Sequence, residues 1–274
     1  MPIDLPARTA LIVIDVQNSF LPGGSLAVPN GDEVIAVING IAKAFDNVVM
    51  TQDWHPPGHV SFASSHPGKR PFERIALDYG PQVLWPDHCV QATTGAAIAD
   101  RIDIPHAQLV IRKGFRRRLD SYSAFIEADG GTRTGLDGYL RARAIDTVYL
   151  VGLATDFCVA WTAIDARRLG FSAHVVENAC RAIDVEGSLA RAWTTMDEAG
   201  VERVRSLSCG PLMLTRALPH RSADRPRRLG RGLLGGAPAL SFRRLARCIR
   251  RAQRDADGHG LAICGDLRRE PWPP

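Results

Sequence analysis

Short apolar runs alternate with amphipathic stretches along most of the chain. Ala10 to Val16 (ALIVIDV) is almost continuously apolar, the signature of a strand buried on both faces of a parallel sheet, and only Asp15 near its carboxyl end interrupts it. Glu33 to Phe45 carries Val34, Val37, Ile38 and Ile41 at helical spacing and predicts a crossover helix. Asn47 to Thr51 predicts the second strand, Gln108 to Ile111 a third running into Lys113–Gly114, and Val148 to Val151 a fourth that Gly152 stops. A helix is expected near Leu136 to Arg143. Another should run from Thr155 as N-cap to Arg167 and Arg168, with Gly170 just past its end. Strands at Ser172 to Val176 and Glu202 to Leu207 flank a helix from Ser188 to Ala199. Gln52 to about Gln91, rich in His, Pro and Trp, reads as a long irregular region, and such loops within a compact domain are usually functional. The alternation predicts an α/β fold: a doubly wound, mostly parallel sheet with helices on both faces, whose ligands bind at the carboxyl edge.

Composition divides the chain in two. It has 274 residues, 45% of them hydrophobic, as expected of a globular protein. Residues 1–210 hold 20 Lys+Arg against 24 Asp+Glu, net −4, and residues 211–274 hold 14 Arg against 5 acids, net +9, with 7 of the 18 prolines. The expected organisation is a globular α/β body over 1–210 and an Arg/Pro/Gly-rich extension over 211–274, largely disordered, in which Leu240 to Arg254 has the spacing of a basic amphipathic helix. No apolar run reaches the ~18 residues of a membrane span, and MPIDLPARTA lacks the features of a signal peptide, so a cytoplasmic location is expected. Cysteines 89, 158, 180, 209, 248 and 264 show no CxxC pairing, which argues for reduced thiols.

The central run VYLVGLATDFCV places Cys158 in the first turn of a helix, where free N–H groups and the dipole are expected to lower a thiol's pKa and cradle an oxyanion. A buried, inert thiol would fit that stretch equally well. The other strand ends decide for a nucleophile: Asp15, Asp53 and Lys113 also fall just past strands on the same edge. Asp15 can act as base and Lys113 can hold its carboxylate. A chain with three lysines against 31 arginines has kept a lysine there, where ammonium and guanidinium are not interchangeable. Asp53 and His55, two apart, face one side and with His88 form a mixed N/O set suited to one divalent ion, Zn²⁺ first, then Fe²⁺ or Mn²⁺. His59 and His66 read as loop residues, and Cys89 as a minor competing ligand.

LIVIDVQNSFLPGGSLAV, TQDWHPPGHVSFASSH, LWPDHC, KG with DSYSAF, and VGLATDFCV together resemble the nicotinamidases (pyrazinamidase-type) of the isochorismatase-like cysteine hydrolases, over about Thr9 to Leu207. The resemblance implies Cys158 as nucleophile, Asp15 as base and Lys113 as third member of a triad. It further implies Asp53, His55 and His88 as metal ligands, with His59 or Ser61 open as a fourth, and a cis peptide between Leu153 and Ala154. The N–H groups of Ala154 and Cys158 would form the oxyanion hole, and Phe20, Trp85 and Tyr122 would wall an aromatic ring. The basic insert FRRRL before Asp120 departs from the family pattern at the site entrance. The implied partner is nicotinamide, with no nucleic acid or membrane and the oligomeric state left open. The alternatives are a cysteine amidohydrolase for ureido or carbamoyl compounds, an isochorismatase, whose vinyl-ether chemistry uses no thioester, and a nucleic-acid or membrane-surface binder acting through the basic extension.

Overall fold

The computed structural model describes residues 8–207. The expected disorder of 211–274 and the helix at 240–254 lie outside them. Strands β1 (Thr9–Ile14), β2 (Val48–Asp53), β5 (Leu109–Lys113), β6 (Thr147–Leu153), β7 (Ser172–Arg181) and β8 (Glu202–Val204) form a parallel sheet in the order β5-β2-β1-β6-β7-β8. The chain winds outward from β1 to β5, then restarts at β6 on the other side of β1. That reversal opens a crevice at the carboxyl ends of β1 and β6.

Alternate residues of β1 feed two cores. Ala10, Ile12 and Ile14 pack with Leu136 and Leu140 of α2 (Leu136–Ala142), Ala160, Ala163 and Ile164 of α3 (Ala160–Arg168), and Ala192 and Met196 of α4 (Ser188–Glu198). Leu11 and Val13 pack with Val34, Ile35, Ile38 and Ile41 of α1 (Glu33–Ala42). Helices thus cover both faces, which is why the central strands are apolar throughout.

Several boundaries differ from the sequence reading. Gly152 does not stop β6 but sits inside it at φ 118, where any Cβ would collide with the Ile14 carbonyl of β1. The glycine is required by close approach, not by a turn. Thr155 is not an N-cap, and no side chain caps this end: Thr155–Val159 form a π-helical turn before α3. β7 runs five residues past Val176 to Arg181, and β8 ends at Val204, short of Leu207. The region from 52 to 91 is not all irregular, because β3 (Arg74–Leu77) and β4 (Gly80–Val83) pair as an antiparallel hairpin across Asp78–Tyr79.

Candidate active site

Four strand ends deliver the chemistry. Asp15 follows β1 with φ 49, a left-handed conformation that Asp tolerates better than most residues, and Asp53 and Lys113 are the last residues of β2 and β5. Cys158 sits in the π turn after β6, beyond the cis peptide Leu153–Ala154. Asp15 and Lys113 are fully buried, Asp53 and Cys158 nearly so.

Lys113 Nζ is the hub. It lies 2.8 Å from Asp15 Oδ2 and donates to the Ser121 carbonyl at 3.1 Å, to Cys158 Sγ at 3.4 Å, and to Asp53 Oδ1. Thr51 Oγ1 donates to Asp15 Oδ1 at 2.6 Å, and Oδ2 is paired with Lys113. Polar atoms of Asp15, Asp53 and Cys158 all lie within 4.8 Å of one another.

Burial sets the acid–base state. It raises the Asp15 carboxyl above its ordinary value against the opposing charge of Lys113. Burial would also raise Asp53, but Lys113 and then His55 outweigh it and hold that carboxyl well below the usual range. Lys113 rises well above an ordinary lysine because two carboxylates overcome its desolvation. The thiol of Cys158 corrects the sequence reading. Burial pushes it well above its ordinary value, against Lys113, so it rests as the neutral thiol and not as a dipole-stabilised thiolate.

Asp53, His55 and His88 form a second cluster, all buried, with ligand atoms within 4.8 Å. His55 Nδ1 lies 2.9 Å from the Gly114 carbonyl and His88 Nδ1 2.8 Å from the Pro86 carbonyl. Carbonyls only accept, so each Nδ1 carries a proton and each Nε2 is the nitrogen directed at Asp53 Oδ2, at 3.7 and 3.9 Å. Two Nε2 atoms directed at one carboxylate, each ring fixed by its other nitrogen, could ligate a divalent ion once both Nε2 atoms are unprotonated. The residues present fit such an ion. Gly114 makes room for the arrangement: a Cβ there would lie 2.5 Å from His55 Cε1. His59 stacks on His55 at 4.3 Å, with Nδ1 2.8 Å from Ser61 Oγ and Nε2 3.1 Å from the Leu119 carbonyl. Both its nitrogens are engaged. Cys89 Sγ rests against the Gly95 carbonyl, outside the cluster.

Beside the two clusters lies a small cavity lined by Phe20, Trp85 and Tyr122, and also by Leu26, Phe157 and Ile183. Trp85 Nε1 donates to the Tyr122 hydroxyl at 3.0 Å, and Phe157 meets Trp85 edge-on at 4.8 Å. Ala154 lines the same cavity. Asp156, two residues before Cys158, accepts from Ile183 N at 3.1 Å, from Asp184 N at 2.8 Å and from the Ser188 hydroxyl, so it ties the π turn to the loop that carries Ile183. Gln17 brackets the Asp53 backbone with two hydrogen bonds of 2.8 Å. Of the basic insert, Phe115 and Arg116 to Arg118 are exposed, and Arg116 pairs with buried Glu127.

The sequence reading missed Gln17, Thr51, Asp120, the Ser121 carbonyl, Asp156 and Phe157. Gln17 and Phe157 lie inside motifs already singled out, IDVQNSF and TDFC. Thr51, Asp120, Ser121 and Asp156 also lie inside quoted motifs, but their roles arise from contacts between distant segments that local spacing does not show.

The family model for the isochorismatase domain matches residues 9–206. The chain belongs to the isochorismatase family. Within it, the chain is 60% identical over 197 residues to the nicotinamidase of Acinetobacter baylyi, spanning 72% of this chain and 92% of that relative. The solved nicotinamidase/pyrazinamidase of Acinetobacter baumanii is also 60% identical, with a TM-score of 0.72 over 73% of this chain and 97% of that one. The pyrazinamidase of Pyrococcus horikoshii, solved in complex with zinc, is 34% identical, with a TM-score of 0.59 over 72% and 98% of the two chains. The fold expected from the alternating pattern is therefore the isochorismatase-family fold. Among the described residues no helix is long and apolar enough to cross a membrane.

Proposed function

We propose that this isochorismatase-family chain is a nicotinamidase, an amidohydrolase that converts nicotinamide to nicotinate and ammonia. The observation that carries the reading is the shared Lys113: one buried ammonium contacts the carboxylate and the thiol of a candidate acid–base pair, beside a donor set able to hold an ion. Proton transfer from Cys158 Sγ to Asp15 moves negative charge from one partner of Lys113 to another, so the same ammonium compensates it before and after. The raised Asp15 carboxyl can hold that proton, and the neutral resting thiol means that transfer accompanies attack.

In this mechanism Cys158 Sγ attacks the carboxamide carbon while the N–H groups of Ala154 and Cys158 receive the oxyanion. Asp15 passes its proton to the departing ammonia and a Cys158 thioester remains. Water deprotonated by Asp15 then adds to the thioester carbonyl, and its collapse releases nicotinate and restores the thiol. Phe20, Trp85 and Tyr122 hold the ring. Asp53, His55 and His88 would hold one divalent ion, Zn²⁺ first and Fe²⁺ or Mn²⁺ as alternatives, supplying a Lewis-acid contact for the pyridine nitrogen. We assign the body to residues 1–210 and the reaction to the cytoplasm, where a reduced nucleophile persists.

Ammonia release from nicotinamide and from benzamide tests this reading. Nicotinamide should be the better substrate by a wide margin, chelation should impair its turnover, and Cys158→Ala should abolish it with the fold intact. Comparable rates on the two amides would remove the ring-nitrogen contact, and ammonia release by Cys158→Ala at the parent rate would end the assignment of the nucleophile.

A further inference from the structure

Gln82 lies on β4 of the hairpin, is 2% exposed, and takes no part in the mechanism above. Its amide is fully committed. Nε2 donates to Asp120 Oδ2 and to its neighbour's carbonyl at Val83, both at 2.7 Å, and shares one of these two hydrogens with the Tyr122 hydroxyl at 3.3 Å, while Oε1 accepts from the Tyr79 hydroxyl at 2.9 Å. The amide orientation is fixed by chemistry, because a carboxylate only accepts and the NH₂ end must face Asp120.

The residues it touches bracket a three-residue segment that faces the reaction cavity. Asp120 and Tyr122 line the cavity, and the carbonyl of Ser121 between them accepts from Lys113. The Tyr122 hydroxyl also accepts from Trp85, the adjoining aromatic wall. The hairpin thus reaches in with one buried side chain and holds both ends of segment 120–122. Burying an amide at a hairpin is costly unless its bonds are made, so the pinning is specific.

We propose that Gln82 is a positioning residue for the reaction: by holding Asp120 and Tyr122 it fixes the aromatic wall and so sets affinity for the flat ring of the substrate. The proposal rests on the nicotinamide reading. Gln82 touches neither thiol nor base, so its loss should appear in KM and leave the chemical step largely intact.

The test uses the full-length chain, with metal content measured, as wild type, Gln82→Leu, Tyr122→Phe and the double variant, assayed for ammonia release from nicotinamide. Gln82→Leu should raise KM about tenfold with kcat within about threefold, and in the Tyr122→Phe background the same change should raise KM by less than about threefold. An equal factor in both backgrounds, or a KM within about twofold of wild type, overturns the proposal. Tyr79→Phe removes only the hydroxyl that fixes Oε1 and serves if Gln82→Leu does not fold: a KM rise of about threefold is expected, and an unchanged KM overturns the role. A wild-type protein that released no ammonia from nicotinamide would refute the substrate reading beneath it, whereas wild-type turnover with indifferent variants would refute Gln82 alone.

Discussion

Replacing Lys113 by Met removes one positive charge while keeping nearly the same length and volume. It strips the only ammonium from contact with Asp15 and Asp53, both deeply buried. Breaking a buried ion pair by removing one partner costs about 3–5 kcal/mol, a large share of the ~5–15 kcal/mol that stabilises a typical domain. At about 2–4 °C per kcal/mol for a body of this size, the melting temperature should fall by roughly 6–20 °C. Asp15 also predicts how the loss varies with pH. Burial already raises its carboxyl and Lys113 is what opposes that, so the variant's carboxyl rises further. A group whose folded pKa exceeds its unfolded one contributes stability below the unfolded value and loses it as pH rises through the folded value. The melting-temperature gap between wild type and Lys113→Met should therefore be wider near about pH 8 than near about pH 5. Scanning fluorimetry across pH measures the gap, and ammonia release at neutral pH should fall at least ~10²-fold because Asp15 then holds its proton. A melting temperature within about 2 °C of wild type, or a gap that does not shrink on acidification, would refute the central role given to this ammonium.

Three other perturbations probe separate parts. Gly114→Ala places a methyl 2.5 Å from His55 Cε1 at φ 63, so metal retention against a graded chelator should weaken about 10–100-fold; unchanged retention would detach His55 from the ion. Asp156→Asn turns an amide donor toward groups that themselves donate, and should lower stability by about 2–3 kcal/mol in chemical denaturation; a loss below ~1 kcal/mol would show that the loop at 183–188 is held by other contacts. Truncation after Gly210 should leave kcat and KM within about twofold, and a tenfold loss in a folded truncated protein would bring residues 211–274 into the site.

The sequence by itself determined the layered architecture and where the chemistry would gather. Continuous apolar runs at Ala10–Ile14 and Val148–Val151 demand burial on both faces, and helical spacing at Val34, Ile38 and Ile41 supplies one covering layer. Polar residues at the ends of such runs fall together at the carboxyl edge of the sheet, which is why Asp15, Asp53, Lys113 and Cys158 were recognisable while scattered through the chain. Only the tertiary structure decided the protonation of the thiol. Position at a helix start argues for a thiolate, but desolvation depends on everything packed around Sγ and here prevails. The same holds for Gly152, whose need is set by the Ile14 carbonyl of a neighbouring strand, and for Lys113, which contacts both the triad and the metal donor set. The hairpin carrying Gln82 escaped because its short strands bury little, so period-two patterning is weak, and a side chain's partners forty residues away leave no trace in local spacing.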